Sequence, residues 1–160
     1  MDFNFSDDQQ QLRDAVAKWV EKGYDFERRR KIEAEGGFSR EAWSGLSELG
    51  LGGLYIPEAD GGLGMGAIEA TVVMEELGRG IVLEPLAQTF IASRVLASCA
   101  PEAVQAEWLP RIASGEALVV LAHQERKARY RIDVCEAKAT QAGDGYALTA
   151  IKSIVPAGDQ

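Results

Sequence analysis

Cysteine, histidine and proline are scarce in this 160-residue sequence, at two, one and five residues. Cys99 and Cys135 stand far apart and lack metal-ligand spacing. They are expected to be reduced thiols of a cytoplasmic protein, not a disulfide framework. The single histidine, His123, has no second ligand at suitable spacing, so no metal site is expected. Basic residues are in deficit, 17 against 25 acidic, for a formal net charge of −8. That balance disfavours nucleic acid, because phosphate binding needs a basic face. It suits a solvated acidic surface. No run of about 18 apolar residues exists, so no membrane span is expected. The opening MDFNFSDDQQ is too acidic and polar for a signal or transit peptide. No internal repeat and no low-complexity linker breaks the chain.

The apolar fraction of 46% supports a packed core and argues against disorder. Helical signals fill residues 1–115. Ser6 and Gln9 have the spacing of a capping box, with Asp7 and Asp8 in the first turn. Leu12, Val16, Trp19 and Val20 then form an apolar face that ends at Gly23. Residues 24–37 are charged and mixed. Their run Arg28–Lys31 reads as a solvated helix face or a partner for nearby glutamates, more than as a phosphate site. A second helix is expected from Ser39, burying Trp43, Leu46 and Leu49, with Gly50 at its end. A third spans about 66–77 and stops at Gly78. A fourth runs from about Glu84 to Ser98, with Pro85 in its first turn and Leu86, Phe90, Val95 and Leu96 facing inward. A fifth starts at Pro101, and Pro110 is expected to bend or end it.

After Gly115 the period changes. Ala117–Ala122 is a short apolar run that suits a buried strand. Ile132–Thr140 alternates, Gly143-Asp144-Gly145 is a turn, Tyr146–Thr149 is a strand, and Lys152–Val155 suggests another. The fold class is therefore α+β, an all-α domain over 1–115 followed by the first strands of an antiparallel β-domain over 116–160. A sheet with so few strands is unfinished, so further chain is expected beyond Gln160.

The densest signal lies between Glu48 and Gly80. It reads Leu49-Gly50, Ile56-Pro57-Glu58, Gly61-Gly62-Leu63-Gly64, then Glu75-Glu76-Leu77-Gly78. The glycines lack phosphate-loop spacing and mark a tight packed turn between buried helices. This order of motifs resembles the amino-terminal domain of the acyl-CoA dehydrogenases. The opening Phe5–Leu12 and the later Trp108-Leu109-Pro110 with Ser114-Gly115-Glu116 resemble that family's first and last helices before its middle β-barrel domain.

The resemblance implies a flavoprotein oxidoreductase of lipid metabolism. It would carry out α,β-dehydrogenation of an acyl-CoA thioester, with FAD as hydride acceptor. An electron-transfer flavoprotein or similar acceptor and a homo- or hetero-oligomer are implied with it. The family's catalytic base, a glutamate, belongs to a carboxy-terminal region, so no catalytic residue is expected in this chain. Glu75 and Glu76 read as helix-end or interhelical pairing residues. Glu125 matches the glutamate of the family's threonine-glutamate-proline run, and Gln124 takes the threonine position. The resemblance lays Leu121, His123 and Gln124 along the flavin, and Ile154 and Pro156 at the positions of its tryptophan and threonine. Ordinary loop or strand packing is the alternative for His123. Arg126, Lys127, Arg129 and Arg131 replace the family's glycine-rich turn and could hold a pyrophosphate, or be solvated charges. Leu86, Thr89 and Phe90 lie on the helix that would floor the acyl pocket, and core packing explains them equally well. These departures keep two rivals open: a non-catalytic partner subunit of a heteromeric enzyme, and a helical interaction module.

Overall fold

The computed structural model describes residues 4–160. Two compact units are present, one ending at Val119 and the other spanning Val120–Gln160.

The first unit contains six helices among the described residues: α1 (Asp7–Gly23), α2 (Phe26–Ala34), α3 (Arg40–Glu48), α4 (Ala67–Gly80), α5 (Leu86–Cys99) and α6 (Glu102–Ala113). Helix α1 starts as its sequence requires. Ser6 Oγ accepts from Gln9 N at 3.2 Å, and Gln9 Oε1 accepts from Ser6 N at 3.0 Å. This satisfies two amides that the first helical turn would otherwise leave open. The Gln9 amide also donates to Glu69 Oε1 at 2.8 Å, and Glu69 Oε2 accepts from Gly66 N at 2.9 Å. The starts of α1 and α4 are thereby clamped together.

Helix α2 is absent from the apolar periodicity because only Ile32 of its residues is buried. Asp25 caps it by accepting from Arg28 N at 2.8 Å. Ser39 caps α3, where Trp43 and Leu46 are buried. Val16, Trp43, Leu46, Leu51, Leu54, Val73, Leu77, Leu86 and Phe90 share one core cluster. Each fully buried aliphatic side chain there contributes about 1.5–3 kcal/mol. Tyr55 meets Phe90 edge-on at 5.5 Å.

Several boundaries differ from the sequence expectation. Helix α4 passes Gly78 and reaches Gly80, because Leu77 and its neighbours are held in the core and Arg79 pairs back to Glu76. Pro85 sits one position before α5, not inside its first turn. Val95 is exposed, and the inward face of α5 carries Ala92 and Ser93 instead. Pro110 lies within α6 without ending it. A proline in a helix interior costs roughly 3 kcal/mol. Leu109 and Ile112, both fully buried on either side, offset that cost. The Ala106 carbonyl, deprived of its usual donor, is on an exposed residue. The end of α6 is pinned by Trp43 Nε1 donating to the Gly115 carbonyl at 2.9 Å.

The second unit holds one antiparallel hairpin, β1 (Lys138–Ala142) with β2 (Gly145–Thr149), in register Lys138 with Thr149 through Ala142 with Gly145. Gly143 and Asp144 form its turn. All ten strand residues are exposed. Two expected strands do not form, and the one expected over Ile132–Thr140 begins only at Lys138. Over 117–122 no ladder partner exists among the described residues. Ala117 and Val119 pack on Ile56, Leu109 and Ile112, and Leu118 joins the main core. Their apolar demand is met by helices. Over 152–155 the chain is broken by Ile154 at φ 52°, a left-handed conformation no strand accommodates.

Candidate functional site

The second unit is organised by one carboxylate. Glu125 is 5% exposed. Its Oε1 accepts from Lys152 Nζ at 2.7 Å and from Ala137 N at 3.0 Å. Its Oε2 accepts from Glu136 N, and the Cys135 thiol donates to Oε1 at 3.5 Å. Four groups from two distant segments thus converge on it. The Lys152 ammonium first, then the backbone amide of Glu136, hold the Glu125 carboxyl down at about 2. In return the carboxylate raises Lys152 above its ordinary value. A carboxylate so committed is a tie, not a proton acceptor.

From this tie the chain turns twice, with Ala128 N donating to the Glu125 carbonyl and Arg131 N to the Ala128 carbonyl. Four basic side chains follow Glu125, and they divide. Lys127 pairs with Glu136 at 3.0 Å and Arg131 with Asp133 at 2.6 Å. Arg126 and Arg129 form no ion pair among the described residues and line a cleft of about 730 Å³. Gln124, Glu125, Tyr130, Ile151, Ser153 and Ile154 complete its wall. Ser153 N donates to the Gln124 carbonyl at 2.9 Å, which joins the two edges. Arg129 has φ 52° and Ile154 the same value, so two lining residues occupy a region that favours glycine.

Of the residues the resemblance lays along a flavin, Gln124 and Ile154 meet at this cleft. Leu121, His123 and Pro156 are exposed and do not line it. Leu86, Thr89 and Phe90 are buried in the core of the first unit, and Thr89 Oγ1 donates to the carbonyl of Pro85, the residue before α5, at 3.3 Å. Ser153 and Ile151 were not singled out from sequence. Their only signal is that they flank Lys152, the partner of Glu125.

Two further polar assemblies brace the first unit. Arg13 bridges Glu75 and Glu76, each at 2.8 Å, and Arg79 also reaches the buried Glu76 at 3.1 Å. The hydrogen bond from Arg13 is the main reason the Glu76 carboxyl lies below its ordinary range. Tyr24 donates to Glu84 Oε2 at 2.8 Å and accepts from Leu83 N at 3.0 Å, while Glu84 Oε1 accepts from Ser39 N at 3.2 Å. Burial pushes the Tyr24 phenol well above its usual value. Among the described residues there is no metal-ligating cluster of three or more His, Cys, Asp or Glu. No described helix is long and apolar enough to cross a membrane.

Comparison with known proteins decides the family. The acyl-CoA dehydrogenase amino-terminal domain matches residues 6–116. The chain belongs to the acyl-CoA dehydrogenase family. Isovaleryl-CoA dehydrogenase, mitochondrial, of Pongo abelii is 32% identical over 152 residues, covering 92% of this chain and 36% of that protein. The chain thus spans about a third of the length of that curated relative. Butyryl-CoA dehydrogenase of Megasphaera elsdenii superposes with a TM-score of 0.84 at 25% identity, covering 99% of this chain and 43% of that one. The ChsE4–ChsE5 complex of Mycobacterium tuberculosis gives a TM-score of 0.82 at 25% identity, covering 97% and 42%. In this acyl-CoA dehydrogenase family member, the helices match the amino-terminal domain and the two antiparallel strands the start of the middle domain.

Proposed function

We propose that the protein is an FAD-dependent acyl-CoA dehydrogenase to which this chain contributes the amino-terminal helical domain and the first part of the middle domain. The observation that carries the reading is the family match over 6–116. Alignment to isovaleryl-CoA dehydrogenase over 92% of the chain supports it. FAD joins a flat, largely apolar ring to a charged pyrophosphate. The cleft of the second unit offers chemistry of both kinds, and its residues fit the group. Ile151, Ile154 and Tyr130 supply apolar surface. Gln124 supplies an amide that both donates and accepts at a ring edge. Arg126 and Arg129 supply guanidinium groups for phosphate oxygens. When bound, the flavin supplies the hydride acceptor for dehydrogenation between the α- and β-carbons of an acyl thioester. This chain's own part is to hold and orient. The tie from Glu125 to Lys152 fixes the cleft's two edges. The proton acceptor lies outside these residues, and Glu125 is not it. An electron-transfer flavoprotein is the acceptor this reading calls for, and the cytoplasm the compartment.

A second reading is a non-catalytic subunit of a heteromeric dehydrogenase. Ile154 and Pro156 favour it, since they stand where the family's strand carries tryptophan and threonine. The likeness to a two-protein complex supports it too. Protein containing this chain, purified from its own cells, is expected to be yellow, with the flavin band bleached by acyl-CoA under anaerobic conditions. Colourless protein that gains flavin only with a second subunit establishes the partner reading. Protein that takes up no flavin in either form refutes both.

A further inference from the structure

A crevice on the first unit, remote in sequence from Gln124–Ile154, has a different chemistry. It encloses about 310 Å³ and is lined by Ala15, Lys18, Trp19, Lys22, Gly23 and Leu49. Ala15, Lys18, Trp19 and Lys22 fall at i, i+3, i+4 and i+7, so one face of α1 builds the wall. Leu49, just past α3, faces it. None of the six lining residues is acidic, in a chain with 25 carboxylates. The cleft beside α3 at Arg40 includes Glu48 and Glu116, and the cleft of the second unit includes Glu125. Lys18 and Lys22 lie one turn apart, like charges on adjoining positions, an arrangement that mildly destabilises a helix. Neither forms an ion pair among the described residues. At the far end Arg28 Nη1 donates to the Gly23 carbonyl at 2.6 Å, but its charge is already met by Glu41 at 3.2 Å, so Lys18 and Lys22 are the cations the crevice offers. Trp19 is half-buried, and its indole N–H has no hydrogen-bond partner among the described residues yet is not sealed from solvent.

We propose that this crevice binds an amphipathic anion, a medium-chain carboxylate. Its apolar body would lie on Trp19, Ala15 and Leu49, and its carboxylate between the ammonium groups of Lys18 and Lys22. The volume is at the lower end for small-molecule sites, which suits a short chain over a large cofactor. The two lysines supply charge complementarity to an anion in a chain of net charge −8. The site rests on no assumption about flavin or dehydrogenation.

The test is a titration of the ¹⁵N-labelled 160-residue chain with sodium octanoate below its micellar concentration, following the tryptophan indole signals. The Trp19 signal is expected to move saturably. The Trp43 signal, whose N–H is engaged by the Gly115 carbonyl, is expected to stay in place and report an intact fold. The paired substitution K18A/K22A is expected to weaken binding about tenfold, as loss of two exposed charge contacts implies. Octylammonium, with the opposite charge, is expected not to move Trp19. A Trp19 signal that does not move, or movement unchanged in K18A/K22A, overturns the proposal. So does octylammonium binding as tightly as octanoate, and so does perturbation confined to Trp108 and the second unit.

Discussion

Substituting Gly62 with alanine tests how the double-glycine turn works. A Cβ built on Gly62 would lie 2.1 Å from the Ile56 carbonyl oxygen and 2.5 Å from Ile56 Cβ. The first distance is about 1 Å short of the closest approach that real Cβ atoms make. The obstruction is backbone, so a rotamer change cannot relieve it. The turn must open, and it is tightly bonded. Gly62 N donates to the Pro57 carbonyl at 3.0 Å, and Gly64 N to the Ile56 carbonyl at 2.8 Å. Ile56 itself is fully buried beside Leu109 and Ile112. Overpacking of this kind costs about 1–3 kcal/mol, and each hydrogen bond lost adds about 1 kcal/mol. The expected loss is about 2–5 kcal/mol, or a fall in Tm of roughly 8–20 °C for a unit of this size. Gly61 is the control. It has φ 81°, but a Cβ there would meet nothing within 4 Å. Alanine at 61 therefore bears only the left-handed strain, about 1 kcal/mol. Thermal unfolding followed by far-UV circular dichroism measures both. If Gly61→Ala costs as much as Gly62→Ala or more, backbone handedness and not close approach governs the turn, and the reasoning fails.

Other outcomes follow from the same geometry. Ser6→Ala removes the side-chain acceptor for Gln9 N and is expected to destabilise the helical unit by about 1 kcal/mol, read from chemical denaturation. Glu125 lies at about 2 in the folded protein against an ordinary 4.5, so its contribution is intact above 4.5 and is lost as pH falls from 4.5 towards 2. The Ala137 amide resonance should report that midpoint near 2, and Lys152→Met should move it upward; a midpoint near 4.5 in the native sequence contradicts the tie. Arg129→Gly relieves the left-handed strain, about 1 kcal/mol, and is expected to raise or preserve the stability of the second unit while lowering flavin retention. Equal flavin content would separate Arg129 from the cleft's function.

The helical unit was legible because its signals are local. Ser6 with Gln9, Ser39 before Trp43, and the apolar spacing of Leu12 and Val16 each need only a few adjacent residues to be read. Helix α2 escaped because one buried side chain, Ile32, leaves no periodicity. The length of α4 escaped because Glu76 is held by Arg13, sixty-three positions away in sequence, and Leu77 by the core, while glycine at 78 and 80 reads as a stop. The strand expected at 117–122 failed for a related reason. Its apolar run was real, but Ala117, Leu118 and Val119 pack into the core of the helical unit, and Leu121 and Ala122 are exposed. The glycine motif marks a tight turn but does not divide the roles: Gly61 and Gly64 carry positive φ, and Gly62 is required for its lack of bulk. In the second unit, the resemblance drew attention to Glu125 and Gln124. Only coordinates could show that Lys152 returns to Glu125, which sets Arg126 and Arg129 apart from the neutralised Lys127 and Arg131.

The joint at Tyr24 and Glu84 has a consequence for motion. One carboxylate grips the Ser39 amide and the Tyr24 phenol, and that phenol holds the Leu83 amide. The segment leading into α5 therefore cannot swing without uncoupling the entry to α3 in the same event. Two amide protons, forty-four positions apart along the chain, should surrender to deuterium at one shared rate.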